Sequence, residues 1–384
     1  MKRFFLGLCF LAAMFSVSAN QLSDSAKIYL LTCQPGTEVY ATFGHSALYV
    51  EDKTQGIDAV FNYGIFDFDE ESFLYKFIKG ETYYVLGVND FESFKYGYAR
   101  RQCGISAQEL NLTHDEKERL FDALVENAQF ENRRYLYNFF YDNCATRIRD
   151  IVEKNVEGKI TFPISRLSDR AITYRELIAE FTGRNSWLKF GIDILIGAPA
   201  DKKGVSDYKK MFLPYYLRDF YEMATVEQKS LTLPKTQIIP AFPRENPACN
   251  FPLITMFGIL LIAILISIYE IRKKCQTIWF DFILFFVAGL IGIVVTFVEF
   301  FSIHPAVFPN FNILWLHPLQ LVFAILLLIK PVRGKLRFYH YFNLAMIVFA
   351  AVLGLTVQAF NPAFFPLLGA MAIRNIRYIV WKKS

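Results

Sequence analysis

The chain has 384 residues, of which 54% are hydrophobic and 20% charged, with a formal net charge of +5. It is too apolar for an ordinary soluble protein and too charged to lie in lipid throughout, so the two characters must occupy different parts of the chain. The surplus of Lys and Arg falls largely in short connections between apolar stretches, which marks topology and argues against a nucleic-acid partner.

In chain order, Met1-Lys2-Arg3 is a basic start, Phe4 to Phe15 a short apolar core, and Val17-Ser18-Ala19 a run of small residues suited to cleavage. Residues 1–19 thus read as a signal peptide. A first membrane anchor is the alternative, but the apolar run is shorter than the ~20 residues a span needs. From 20 to 250 charges are dense, as expected of a water-soluble domain on the far side of the membrane. Strands are predicted at Leu22 to Cys33, Gly44 to Glu51, Val60 to Phe66 and Thr82 to Val88, with the polar turn Asp52 to Gly56 joining the second and third into a hairpin. Thr113 to Ala128 reads as a helix with Thr113 and Glu116 in capping-box register. A further helix is predicted from about Ala145 to Asn155, with Asp142 and Asn143 available to cap it. This mixture gives an α+β class.

From Phe251 the pattern changes. The stretches Phe251 to Ile271, Ile278 to Val298, Ile313 to Ile329, Tyr339 to Phe360 and Ala363 to Trp381 predict a domain over 251–384 with about five membrane helices. The last stretch carries Arg374, Asn375 and Arg377, so it is expected to be shorter and to rest partly at the interface, its basic side chains snorkelling. Arg272, Lys273 and Lys274 follow the first stretch, Lys330, Arg333, Lys335 and Arg337 the third, and Lys382 and Lys383 close the chain. Ser302 to Asn312 and Asn361-Pro362 hold neither Lys nor Arg. The expected arrangement is therefore a bacterial inner-membrane protein with its soluble domain in the periplasm and its C-terminus in the cytoplasm.

After the signal, cysteine occurs at 33, 103, 144, 249 and 275, without the pairing or His spacing of a zinc site. No metal or other cofactor is expected. A Cys33 to Cys103 disulfide is possible in an oxidising compartment.

Two segments carry possible chemistry: Phe43-Gly44-His45-Ser46-Ala47 and Tyr141-Asp142-Asn143-Cys144-Ala145-Thr146. At a helix start, unpaired amides and the helix dipole favour an anion and so a thiolate at Cys144. His45 on its strand is a base for that thiol, and the pair suits acyl transfer through a thioester. The residues alone equally allow a small buried cysteine and a hydrogen-bonded structural histidine.

The order of a strand His followed by a Cys at a helix N-terminus resembles the circularly permuted papain-like hydrolases, among them NlpC-type cell-wall peptidases and the lecithin retinol acyltransferase group. Phe43-Gly44-His45, Phe61-Asn62-Tyr63-Gly64, Tyr141-Asp142-Asn143-Cys144 and Leu314-Trp315-Leu316-His317-Pro318-Leu319 together resemble the Bacteroides-type lipoprotein N-acyltransferase family, Lnb. The resemblance spans the mature chain. It implies a papain-like periplasmic domain fused to a membrane bundle, and a cysteine-dependent acyltransferase with a phospholipid as donor and a diacylated lipoprotein as acceptor. Cys144 would be the nucleophile, His45 the base, and Asn62 the group orienting the imidazole, although Asn62 also fits a plain strand-edge position. A membrane-anchored cell-wall amidase or endopeptidase would use the same pair.

Tyr141 and Asn143 beside the thiol are candidate substrate contacts, with Asn143 and Asp142 alternatively serving the helix cap. Aromatic residues make up 17% of the chain, and the run Tyr135 to Tyr141 together with Met211 to Tyr216 could hold acyl chains or simply pack a core. In the outward connection, Glu299, His304, Asn310, Asn312 and His317, with Trp315, are expected to bind a lipid head group or the lipoprotein N-terminal region; capping helix ends and bonding one another is the alternative.

Overall fold

The computed structural model describes residues 22–65, 72–162, 172–244 and 248–380. The signal peptide, Phe66, Trp381 and the closing lysines 382 and 383 lie outside the described residues.

The first half is built on a seven-stranded sheet with strands β1 (Lys27–Cys33), β2 (His45–Asp52), β3 (Ile57–Ile65), β4 (Tyr83–Asn89), β5 (Ile105–Glu109) and β6 (Arg134–Leu136). A small sheet of β7 (Ile160–Thr161), β8 (Thr225–Val226) and β9 (Lys229–Ser230) lies apart, and β10 (Thr236–Ile239) returns to the large one. The large sheet runs β10-β5-β1-β2-β3-β4-β6, with neighbouring strands antiparallel. The expected β2–β3 hairpin is present, and Asp52 shapes its turn by accepting the Thr54 and Gln55 amides at 3.0 and 3.2 Å. Strand β1 is shorter than the sequence suggests. Ser23 is held instead by Asp52, through its amide at 2.6 Å and its hydroxyl at 2.7 Å, so the chain turns before joining the sheet.

Helices α1 (Phe73–Lys79), α2 (Phe91–Arg100), α3 (His114–Ala128), α4 (Cys144–Asn155), α5 (Tyr174–Thr182), α6 (Trp187–Leu195), α7 (Asp207–Lys210) and α8 (Pro214–Met223) complete this half. Alternation along β2 divides them: Leu48 and Val50 face a core with Leu120, Leu124, Ile148, Val152, Leu217 and Phe220 from α3, α4 and α8, while Ala47 and Tyr49 face Phe94 and Tyr98 of α2. Thr113 and Glu116 form the expected capping box on α3. Cys33 and Cys103 are both buried on the α2 side, and both are free thiols.

The second half contains α9 (Phe251–Lys273), α10 (Ile278–Phe301), α11 (Leu319–Leu328), α12 (Lys330–Arg333), α13 (Arg337–Thr356) and α14 (Phe364–Val380). Among the described residues, four segments, 251–273, 278–301, 311–328 and 337–356, are long and apolar enough to cross a membrane. Helix α14 packs on α9 and α13. The expectation that its basic residues snorkel fails at Arg374, which is fully buried: its guanidinium meets Asp281 at 2.5 and 2.8 Å and both Glu270 oxygens at 3.0 Å. Two carboxylates inside the bundle hold the charge that water would otherwise solvate.

The halves are joined by polar contacts. Gly197 and Ala198 donate backbone N–H groups to the carbonyls of Ala306 and Pro309 at 2.8 and 2.9 Å. A β-carbon on Gly197 would sit 2.2 Å from the Pro309 oxygen, so this approach requires glycine. Near α1, Ile303 donates its amide to Lys79 at 2.9 Å.

Candidate active site

The open end of the β2–β3 hairpin carries the first two candidate residues. Extending the β2–β3 register, in which Leu48 faces Phe61, puts His45 opposite Gly64, with Asn62 two residues back on the same face. The His45 Nε2–H donates to Asn62 Oδ1 at 2.5 Å, which fixes the ring and leaves Nδ1 for the thiol.

Cys144 arrives as the first residue of α4. The helix begins there, one residue earlier than the sequence suggests, because Asn143 is an N-cap of unusual completeness. Its Oδ1 accepts the Ala145 and Thr146 amides at 2.9 and 3.0 Å, and Thr146 Oγ1 accepts the Asn143 amide at 2.8 Å. The Asn143 Nδ2 donates to the carbonyls of Phe139 and Phe212, each at 2.8 Å. With both ends of the amide engaged inside the fold, Asn143 positions the helix start and has no spare donor for a substrate.

Gly64 faces the start of α4 and the His45 ring. Its φ is +95°, at an irregularity in the β3–β4 ladder, and a β-carbon there would lie 3.7 Å from Cys144 Cβ and 3.7 Å from His45 Cε1. The thiol and imidazole interact directly. Burial raises the Cys144 pKa, but the facing His45 charge and hydrogen bond, with the Ser46 and Ala145 amides, outweigh it and leave the thiol below its ordinary value. Burial lowers the His45 pKa, but the Cys144 charge and hydrogen bond and the Asn62 contact outweigh it, for a net increase. Opposite shifts in adjacent groups favour a thiolate–imidazolium pair.

Other residues take more definite places. Asp142 does not cap α4; it holds Arg147 by two hydrogen bonds at 2.6 and 2.8 Å. Tyr141 is 56% exposed beside Phe140. Tyr135, on β6, was legible only as part of an aromatic run, yet its hydroxyl is 3.9 Å from the same point above Gly64. A groove of about 890 Å³ elsewhere on the sheet, lined by Tyr29, Tyr49, Glu51, Asp58 and Phe91, holds none of these residues.

The outward polar residues do not join this cluster. Asn312 Nδ2 donates to the Asp193 and Ile194 carbonyls at 2.9 and 3.2 Å and its Oδ1 accepts Trp315 Nε1 at 3.0 Å. Asn310 Nδ2 reaches Ile194 and Leu195 at 2.9 and 3.1 Å, while Glu299 Oε1 accepts its amide at 3.0 Å. His304 Nε2 donates to the Phe77 carbonyl at 2.7 Å. His317 lies inside the bundle, with Nε2 3.3 Å from Asn343 Oδ1. Asn310, Asn312 and His304 thus dock the soluble half onto the membrane half, and Trp315 is buried behind them. The sequence could show that polar groups at this depth need partners; only the fold could show that the partners come from α6 and α1.

Comparison with known families divides the chain in the same way. The Lnb N-terminal periplasmic domain matches residues 18–180 and the Lnb transmembrane domain matches residues 244–384. No curated protein and no solved structure matches. Both domains of the family being present in order, the chain belongs to the Lnb family and is an inner-membrane protein with a periplasmic domain.

Proposed function

We propose that the protein is a lipoprotein N-acyltransferase that carries an acyl chain on Cys144 from a phospholipid to the α-amino group of a diacylglyceryl-cysteine lipoprotein. Membership of the Lnb family points to a membrane enzyme that processes lipoproteins. The observation that carries the finer reading is the Cys144–His45 pair, oriented by Asn62, in a domain tied by direct hydrogen bonds to membrane-spanning helices. A strand His preceding a Cys at a helix start also supports a permuted papain-like domain.

In the first half-reaction the thiolate adds to the donor ester carbonyl. Collapse of the tetrahedral adduct expels the lysophospholipid alkoxide, which takes its proton from the His45 imidazolium. In the second, the lipoprotein amine adds to the thioester, His45 accepts the amine proton, and the thiolate leaves. Access from lipid is supported by α1, which exposes Leu74, Tyr75 and Phe77 at the end of α10 next to exposed Phe300 and Phe301; Tyr75 and Phe297 rings lie 5.9 Å apart. The topology proposed with this function leaves the C-terminus in the cytoplasm, so a reporter active only in the periplasm should be silent when fused after Ser384.

Mass spectrometry of lipoprotein N-termini tests the reading. Cells whose only copy is Cys144→Ser should lose the amide-linked acyl chain. Intact N-acylation with altered muropeptides would replace this function by a cell-wall amidase.

A further inference from the structure

Tyr135 is buried, and its hydroxyl has no hydrogen-bond partner among the described residues. A buried phenol normally finds one, so the orphan calls for a reason. The hydroxyl lies 3.9 Å from the point where a Gly64 side chain would begin, and Cys144 Cβ and His45 Cε1 are each 3.7 Å from that point. Nucleophile, base and phenol therefore border one small space that a glycine keeps open.

The ring is held firmly. The Arg147 guanidinium lies over it at 3.7 Å, itself fixed by Asp142 at 2.6 and 2.8 Å. Tyr63 packs edge-on to the same ring at 6.4 Å. Asp142, two residues before the nucleophile, and Arg147, three after it, thus set the direction of the hydroxyl.

We propose that Tyr135 is a catalytic residue whose hydroxyl donates a hydrogen bond to the oxyanion formed when the Cys144 thiolate adds to an acyl carbonyl, alongside the Cys144 backbone N–H. This assignment rests on the thioester chemistry proposed above. As the S–C bond forms, the carbonyl π pair moves to oxygen, which accepts both hydrogen bonds without taking a proton. When the C=O re-forms, the alkoxide leaves in the first half-reaction and the thiolate in the second. A donor that is rigid and unpartnered at rest favours the state in which charge has developed over the ground state. Burial raises the phenol pKa well above its ordinary value, and the nearby Cys144 charge adds to this, so the hydroxyl remains a donor over the working pH range.

The test compares two reactions of one thiol in the purified full-length protein. Acylation by a p-nitrophenyl fatty ester passes through an oxyanion; alkylation by iodoacetamide displaces halide at a saturated carbon and does not. Tyr135→Phe keeps the ring and its Arg147 contact. It should acylate about 10²–10³-fold more slowly, the usual loss for one oxyanion donor, while its alkylation rate and pH profile match the wild type. Wild-type acylation would overturn the assignment. A parallel fall in alkylation would also overturn it, because Tyr135 would then serve the thiolate or the fold. Neither probe is a phospholipid or a lipoprotein, so failure of lipid-to-lipopeptide transfer would sink the proposed function and leave this comparison standing.

Discussion

His45 and Asn62 meet through Nε2 and Oδ1 at 2.5 Å on adjacent antiparallel strands, and this contact turns the other face of the imidazole toward Cys144. Asn62→Ala leaves the ring in place but free to rotate. Acylation of Cys144 should slow about 10–100-fold, the scale for losing a partner that orients a functional imidazole. His45→Ala should lose acylation altogether. A fully active Asn62→Ala would make Asn62 a strand-edge residue only.

The paired shifts predict a pH profile. Because the Cys144 pKa is lowered and that of His45 raised, the thiolate–imidazolium pair exists at pH values where an ordinary thiol, of pKa about 8.5, is mostly protonated. The acid limb of iodoacetamide alkylation should therefore lie below that of a free thiol. In His45→Ala it should move to higher pH, since burial still raises the thiol pKa and the opposing charge is gone. Identical profiles for the two proteins would contradict the ion pair.

Gly64 offers a separate check. At φ +95° an L side chain costs about 1–3 kcal/mol, and the added methyl would occupy the space bordered by Cys144, His45 and Tyr135. Gly64→Ala should lose both acylation and part of its thermal stability, read as turnover and unfolding temperature in the same detergent. Unchanged turnover would show that the space above Gly64 is not where the carbonyl binds.

The segments legible in the sequence were those governed by local rules. The Thr113–Glu116 box, the Asp52 turn and the start of α9 at Phe251 follow from capping, turn chemistry and apolar length. His45, Asn62 and Cys144 were nameable because their motifs resemble a family. Tyr135 was not, because an aromatic looks the same in a core as beside a nucleophile until its hydroxyl is seen without a partner. The docking contacts of Asn310, Asn312 and His304 were not legible, because their partners on α6 and α1 lie more than a hundred residues earlier in the chain.

Asp193 tests that docking. It pairs with Arg175 at 2.8 Å, contacts Lys189, accepts Asn361 Nδ2 at 2.9 Å, and its own carbonyl accepts Asn312 Nδ2 at 2.9 Å. Asp193→Ala removes the carboxylate that pairs with buried Lys189 and leaves Arg175 with Asp201 alone, and should cost about 3–5 kcal/mol. Unfolding in nanodiscs should show it, with the soluble half becoming protease-sensitive at lower temperature than the bundle. An unchanged melt would mean that the ion cluster does not hold the halves together.

A single-turnover transfer measures directly whether Cys144 carries the acyl group from phospholipid to lipoprotein. Purified protein given phospholipid with an isotopically heavy acyl chain, and no acceptor, should gain one acyl mass on Cys144 that hydroxylamine removes. Adding a diacylated lipopeptide should then discharge that adduct into the N-acyl amide at least as fast as steady-state turnover. An adduct lost only to water, or one that persists on Cys144 in the presence of the lipopeptide, would contradict the account.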